Sequence, residues 1–299
     1  MTTRFETSPA RAAAMMVLAM AIIGAIDNVI APMSAHIGLW QFHFIRSLIA
    51  LPLVGLMALA GLGALRPRRW GAVTLRSVLV STAMMFYFGA LAFMPIAQAL
   101  AGLFTSPIFV LLITATLLRG RIGRWRVLAV AAGFTGTVLV LQPDPRAFDA
   151  ATLIPVAGGF FYALGAIVTR RHCAGEGAPA LLAGNLFALG LAGAVGALVL
   201  AVLPQPGAQD FVTRGWIWPI RPAMPHILLQ AVGSVIAVFL IIRAYQTGEP
   251  SRVAVFEYAV MIFGPLFAWL LLGQPLGPWQ AVGVLLIATA GAIIAIRSE

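Results

Sequence analysis

Four ionisable residues stand inside long apolar stretches of this sequence: Asp27, Arg46, Arg243 and Glu257. A charged group in hydrocarbon costs on the order of several kcal/mol unless it is paired, hydrated or turned inward, so each is a candidate for binding a ligand or moving a proton. Asp27 lies toward the end of the first stretch, and Arg46 lies about eight residues into the second, roughly 12 Å at helical rise. An acid and a base therefore stand close enough in depth to be partners. Arg243 and Glu257 lie at similar depth near the opposite surface and form a second such set. A pair of this kind can bind the carboxylate or ammonium of a zwitterion, carry a coupling proton, or close as a fixed salt bridge between helices. Arg243 is near enough to the end of its stretch to extend its guanidinium to the interface.

Tyr87, Tyr162 and Tyr258 are three of the four tyrosines, and each adjoins phenylalanines: Phe86 and Phe88, Phe160 and Phe161, Phe256. Such rings would line a cavity for a planar or amphipathic substrate, with the hydroxyls orienting it. Packing at the lipid or interface is the plainer reading. Thr105 could contribute to the same cavity, and Thr105, Gln98, Asn28 and Asn185 can also hydrogen-bond between helices. His36 and His43 are seven residues apart with no further cluster of ligands, there is no HExxH, and Cys173 is the single cysteine, so no metal is expected. Without a P-loop, direct ATP drive is not expected, and no cofactor is called for. Asp27 is the lone aspartate within a stretch and no GxSxG occurs, so the sequence carries no catalytic set and is not expected to be an enzyme.

The elements that must position these residues follow from composition. The chain has 299 residues, is 61% hydrophobic and 9% charged, and has a mean hydropathy of +0.99, which requires lipid as solvent. Ten spans are predicted near Ala12–Ala31, Gly38–Ala60, Leu75–Met94, Ala97–Leu118, Trp125–Leu141, Ala150–Thr169, Pro179–Leu203, Pro225–Tyr245, Ser251–Leu272 and Trp279–Ile296. Breaks such as Met94-Pro95, Pro143-Asp144-Pro145, Pro204-Gln205-Pro206-Gly207 and Gly248-Glu249-Pro250 punctuate them. The net charge of +10 comes from arginines scattered between spans, with no basic face interleaved with aromatics, so nucleic acid is not an expected partner.

Arginine asymmetry predicts orientation. Fourteen arginines fall on the side of the N-terminus, Arg146, Arg214 and Arg221 fall on the other, and Arg46 and Arg243 lie within spans. Both termini are therefore expected in the cytoplasm, with the protein in a bacterial inner membrane as a monomer or homodimer. Sliding the chain by the offset that overlays Gly120 on Gly273 also overlays Ala101 on Ala254, Ala115 on Ala268, and Leu117-Leu118 on Leu270-Leu271. Both copies then reach a tryptophan, Trp125 or Trp279, opening a glycine-rich last helix. Five helices per copy means that the second enters from the opposite side, an inverted repeat of residues 1–146 and 147–299.

Three segments carry a resemblance to a known family. Phe44-Ile45-Arg46, the stretch Ala90 to Ala101, and Phe256-Glu257-Tyr258 through Leu271-Leu272-Gly273-Gln274 resemble the second helix, the third-to-fourth-helix turn and the ninth helix of the ten-helix EamA-type branch of the drug/metabolite transporter superfamily, in which a Glu is commoner than Gln274. The resemblance implies an all-α integral membrane protein, two inverted five-helix repeats around a central cavity, working by alternating access. It also implies a secondary transporter of a small organic metabolite. The expectation is proton-coupled export of an amino acid or related compound, with uptake of a riboflavin-like vitamin as the alternative. The candidate substrate or coupling residues are Asp27, Arg46, Tyr87, Thr105, Tyr162, Glu257 and Tyr258.

Overall fold

A computed structural model describes residues 8–90, 96–142, 146, 150–203 and 210–297. Ten helices within them are long and apolar enough to cross a membrane: α1 Pro9–Asp27, α2 Leu39–Leu59, α3 Trp70–Ala90, α4 Ala99–Thr116, α5 Arg124–Leu141, α6 Ala150–His172, α7 Ala178–Val202, α8 Met224–Thr247, α9 Pro250–Leu271 and α10 Pro278–Ile296. The turns expected at Met94-Pro95, at Pro143-Asp144-Pro145 and at Pro204 to Gly207, together with Arg4 and the side chain of Gln98, lie outside the described residues. The helices are apolar on nearly every face, and residues such as Leu153, Leu198 and Leu285 are left exposed around the bundle, as lipid-facing residues are.

Helix starts follow from local sequence. Proline occupies the first turn of α1, α7, α8, α9 and α10, where its missing N–H would have had no helical partner. Gly38, Gly123, Gly177 and Gly277 are the N-caps of α2, α5, α7 and α10, so equivalent helices of the two halves begin in the same way. Three spans are interrupted among the described residues. The first span, expected to run to Ala31, stops at Asp27 and resumes as the short helix Ile30–Ser34. Inside α4 the helix breaks at Phe104-Thr105, and α9 passes through a 3-10 segment, Ala254–Ala259. The offset that overlays Gly120 on Gly273 places Thr105 on Tyr258, so the two breaks are counterparts.

The packing obeys the same exchange of halves. α2 packs on α7 and α5 on α10, each pair being its own counterpart, while α1 against α8 is mirrored by α3 against α6, and α1 against α9 by α4 against α6. Each half thus covers the other. Glycines let the self-paired helices approach closely. A Cβ at Gly193 of α7 would lie 2.7 Å from both the Phe44 nitrogen and the Trp40 carbonyl oxygen of α2, and one at Gly136 of α5 would lie 2.7 Å from the Gly283 oxygen of α10.

Because those obstacles are backbone atoms, Gly193→Val must push α2 and α7 apart. The expected cost is about 1–3 kcal/mol, read as a lower melting temperature in detergent, whereas Gly55→Ala, whose Cβ would meet nothing within 4 Å, leaves the melting temperature unchanged or raises it.

Candidate functional site

Polar side chains gather at two levels of the bundle. The first level is organised by the end of α1, where Asn28 turns back to donate to the Gly24 carbonyl at 2.7 Å and to Gly264 of α9 at 3.2 Å. Those bonds satisfy backbone that the kink would otherwise leave open. Gln230 of α8 secures the same end, donating to the Ile26 carbonyl at 2.8 Å and approaching Asp27 Oδ1 at 3.4 Å. Asp27 remains exposed although Arg46 of α2 and Tyr87 of α3 are within electrostatic reach and Gln230 is buried beside it. The carboxylate therefore faces an accessible space between helices.

Arg46 forms no ion pair with Asp27 within 4 Å. Its Nη2 donates to His43 Nδ1 at 3.4 Å, one helical turn away, and its guanidinium lies 5.1 Å from the centre of the Phe42 ring. His43 is fully buried, with the Phe88 ring meeting it edge-on at 4.4 Å, and Tyr87 packs beside Phe88 at 4.9 Å. The His43 Nε2, Arg46 Nε and Ser47 hydroxyl are buried without hydrogen-bond partners. The expected acid and base are thus brought to one place but held apart.

The second level lies where the breaks in α4 and α9 meet. Glu257, on the 3-10 segment, is 3% exposed and accepts a hydrogen bond of 2.6 Å from the Tyr245 hydroxyl, with the Tyr162 and Ser106 hydroxyls in its electrostatic surroundings. Hydroxyls from α8, α6 and α4 are thereby gathered around one carboxylate. Arg243 does not pair with Glu257, contrary to the expectation, and its Nη1 reaches Gln246 at 3.4 Å instead. Two residues turn a helix by about 200°, so the face of α8 that presents Tyr245 to Glu257 carries Arg243 away. Tyr245 was the one tyrosine not among the candidates.

The remaining candidates have plainer surroundings. Tyr258 is fully buried, fits against Gly133 of α5, where a Cβ would overlap its ring, and lies 6.3 Å from Phe104. Thr105 caps the break in α4 by donating to the Gly102 carbonyl at 2.6 Å. Phe86 stacks on Phe161 at 5.6 Å between α3 and α6, a packing contact near Tyr162. One residue was missed altogether. Arg76, counted in sequence with the arginines flanking the spans, lies inside α3 and is 4% exposed, donating to Thr169 Oγ1 at 3.4 Å and the Leu181 carbonyl at 3.1 Å.

A cavity of about 1070 Å³ opens at the N-terminal face, with Ile167, Arg170, Glu249, Arg252 and Phe256 among its walls. Its rim is tied by an ion pair from Arg126 of α5 to Glu249, and Arg126 also donates to Ser251 at 2.8 Å. At the opposite face the chain preceding α8 lies over the start of α2. Leu39 N–H donates to the Phe211 carbonyl at 2.7 Å, and Gln41 both donates to and accepts from Ile217 at 2.9 Å. The bundle is open on one side and bridged on the other.

The model of the EamA-like transporter family matches this chain twice, over residues 10–142 and 150–296. The chain belongs to the EamA-like transporter family. It is similar to a riboflavin transporter of Rhizobium johnstonii, with 28% identity over 89% of this chain and 82% of the relative. It is also similar to a riboflavin transporter of Vibrio cholerae, with 26% identity over 76% and 72%, and to an S-adenosylmethionine uptake transporter of Rickettsia prowazekii, with 21% identity over 81% and 76%. A solved crystal structure that is 18% identical superposes with a TM-score of 0.79 over 96% of this chain and 98% of its own. The protein is thus a multi-pass EamA-like transporter of a small metabolite, with the fold of two inverted five-helix repeats.

In an EamA-like transporter built this way, Glu257→Gln replaces one acceptor oxygen by a donor beside the Tyr245 hydroxyl. Transport is expected to fall by at least about tenfold, the scale of losing a hydrogen bond to a charged group, while membrane insertion and the gel-filtration profile are kept. Arg243→Ala, measured beside it, should stay within about twofold of wild type.

Proposed function

We propose that this transporter takes up a flat heteroaromatic metabolite of the riboflavin class across the bacterial inner membrane. The observation that carries the reading is an exposed Asp27 and a partly exposed Arg46 that form no ion pair, with Phe42 against the guanidinium, Phe88 against His43 and Tyr87 against Phe88. An acid and a base that do not neutralise each other, set in aromatic walls, suit a substrate with a polar edge on a planar ring system. The curated relatives named as riboflavin transporters support the same class. The expected export of amino acids draws no support from the names of these relatives.

With the N-terminus in the cytoplasm, as the arginine distribution favours, the cavity walled by Glu249 and Arg252 faces inward. Substrate would bind at the Asp27 and Arg46 level from outside, and the Gln41 to Ile217 clasp and the Arg126 to Glu249 pair would part alternately. Glu257, bonded by the Tyr245 hydroxyl with those of Tyr162 and Ser106 nearby, at the meeting of two broken helices, is the group we assign to proton coupling.

Counterflow in proteoliposomes tests the reading. Vesicles loaded with unlabelled riboflavin should accumulate labelled riboflavin, while vesicles loaded with amino acids should accumulate none of the matching label. Selective amino-acid accumulation would sink the flavin reading in favour of the exporter. One pH unit supplies about 1.4 kcal/mol per proton moved, so an imposed gradient, acidic on the side from which substrate enters, should raise uptake. Uptake indifferent to that gradient removes the proton assignment.

A further inference from the structure

The chemistry of Asp27 and Arg46 narrows what the substrate must present to them. Asp27 Oδ1 is already approached by Gln230, which leaves its second oxygen to accept from a ligand. Arg46 has one nitrogen committed to His43, whose Nδ1 must be the acceptor because a guanidinium only donates, and its Nε has no partner. The site therefore offers one strong acceptor beside one strong donor, with opposite charges that leave it neutral overall. A ligand of net charge would unbalance it, and a zwitterion would have to shed the hydration of both its charges among the surrounding rings. A neutral group with a donor next to an acceptor answers both side chains without either cost.

We propose that Asp27 and Arg46 together read the imide edge, –CO–NH–CO–, of a planar heteroaromatic substrate, Asp27 accepting from the N–H and Arg46 donating to an adjacent carbonyl. Phe42 lies beneath the guanidinium, Phe88 meets the neighbouring His43 and Tyr87 packs on Phe88, so the ring system bearing that edge would arrive in an aromatic neighbourhood. In a flavin this is the pyrimidinedione end of the ring. The inference rests on the flavin reading and goes beyond it by naming which edge is recognised and by which residues.

The test uses the whole protein in proteoliposomes, with competition against labelled riboflavin by riboflavin itself, by N3-methylriboflavin, which lacks the imide proton, and by lumiflavin, which keeps the edge and lacks the ribityl chain. In wild type, N3-methylriboflavin should compete at least about tenfold more weakly than riboflavin, because the methyl group removes the proton that Asp27 accepts and stands where the carboxylate must approach. Lumiflavin should remain the better competitor of the two analogues. In Asp27→Ala the difference between riboflavin and N3-methylriboflavin should shrink to within about twofold, as read by quenching of flavin fluorescence on binding if uptake is too slow. Equal competition by the two flavins in wild type overturns the inference and leaves riboflavin transport standing. Undiminished discrimination in Asp27→Ala overturns it as well, since the edge would then be read elsewhere. Absence of any riboflavin uptake by folded wild type overturns both. The wild-type comparison does not depend on the folding of any variant.

Discussion

Lipid offers no hydrogen-bond partners, so each span must satisfy its own backbone or be met by another part of the protein where it does not. Most of this chain obeys by being helical from end to end. The exceptions are the kink after Asp27, the break at Phe104-Thr105 in α4, and the 3-10 passage of Ala254–Ala259 in α9. Each is compensated from within: by the Asn28 and Gln230 bonds at the first and by the Thr105 hydroxyl at the second. The third lies against the second, which brings Ser106, just past one break, near the carboxylate on the other. The polar levels of the bundle are thus tied to the points where the helices depart from regularity.

The two levels differ in how their charges are treated. Glu257 is enclosed and held by the Tyr245 hydroxyl, with the Tyr162 and Ser106 hydroxyls nearby, an arrangement that holds a carboxylate in one geometry. Asp27 and Arg46 are each tethered on one side, by Gln230 and His43, and left open on the other. A closed salt bridge between them would have had only a structural reading. Their separation is what makes this level suited to a ligand, and the hydroxyls around Glu257 make that level suited to a proton.

Much of the fold was legible in the sequence because a bilayer imposes one simple rule, long apolar runs broken by polar turns, and ten such runs are plain. The inverted repeat could be read from Gly120 and Gly273 and the tryptophans that follow them. The depth of Asp27, Arg46 and Glu257 was also legible, since position along a helix translates directly into depth. What depth does not give is direction around the helix, and for that reason Arg243 was matched with Glu257 when Tyr245, on a different face of α8, holds it. Arg76 was misplaced for a related reason. Hydropathy started α3 near Leu75, and only the packed structure shows that the helix begins at Trp70 and carries the arginine inward against Thr169 and Leu181.

The exchange symmetry of the packing has a consequence for how such a chain can exist in parts. The main partner of α1 is α8, of α3 is α6, of α2 is α7 and of α5 is α10, so the interfaces that bury side chains run chiefly between the halves. A five-helix polypeptide cut between α5 and α6 would present those interfaces unmet, including the glycine-lined face at Gly136. To be stable it would need a second copy inserted upside down beside it. A half-length chain of this architecture would thus have to enter the membrane in both orientations to find its partner, whereas five helices per half deliver that upside-down pairing within a single chain.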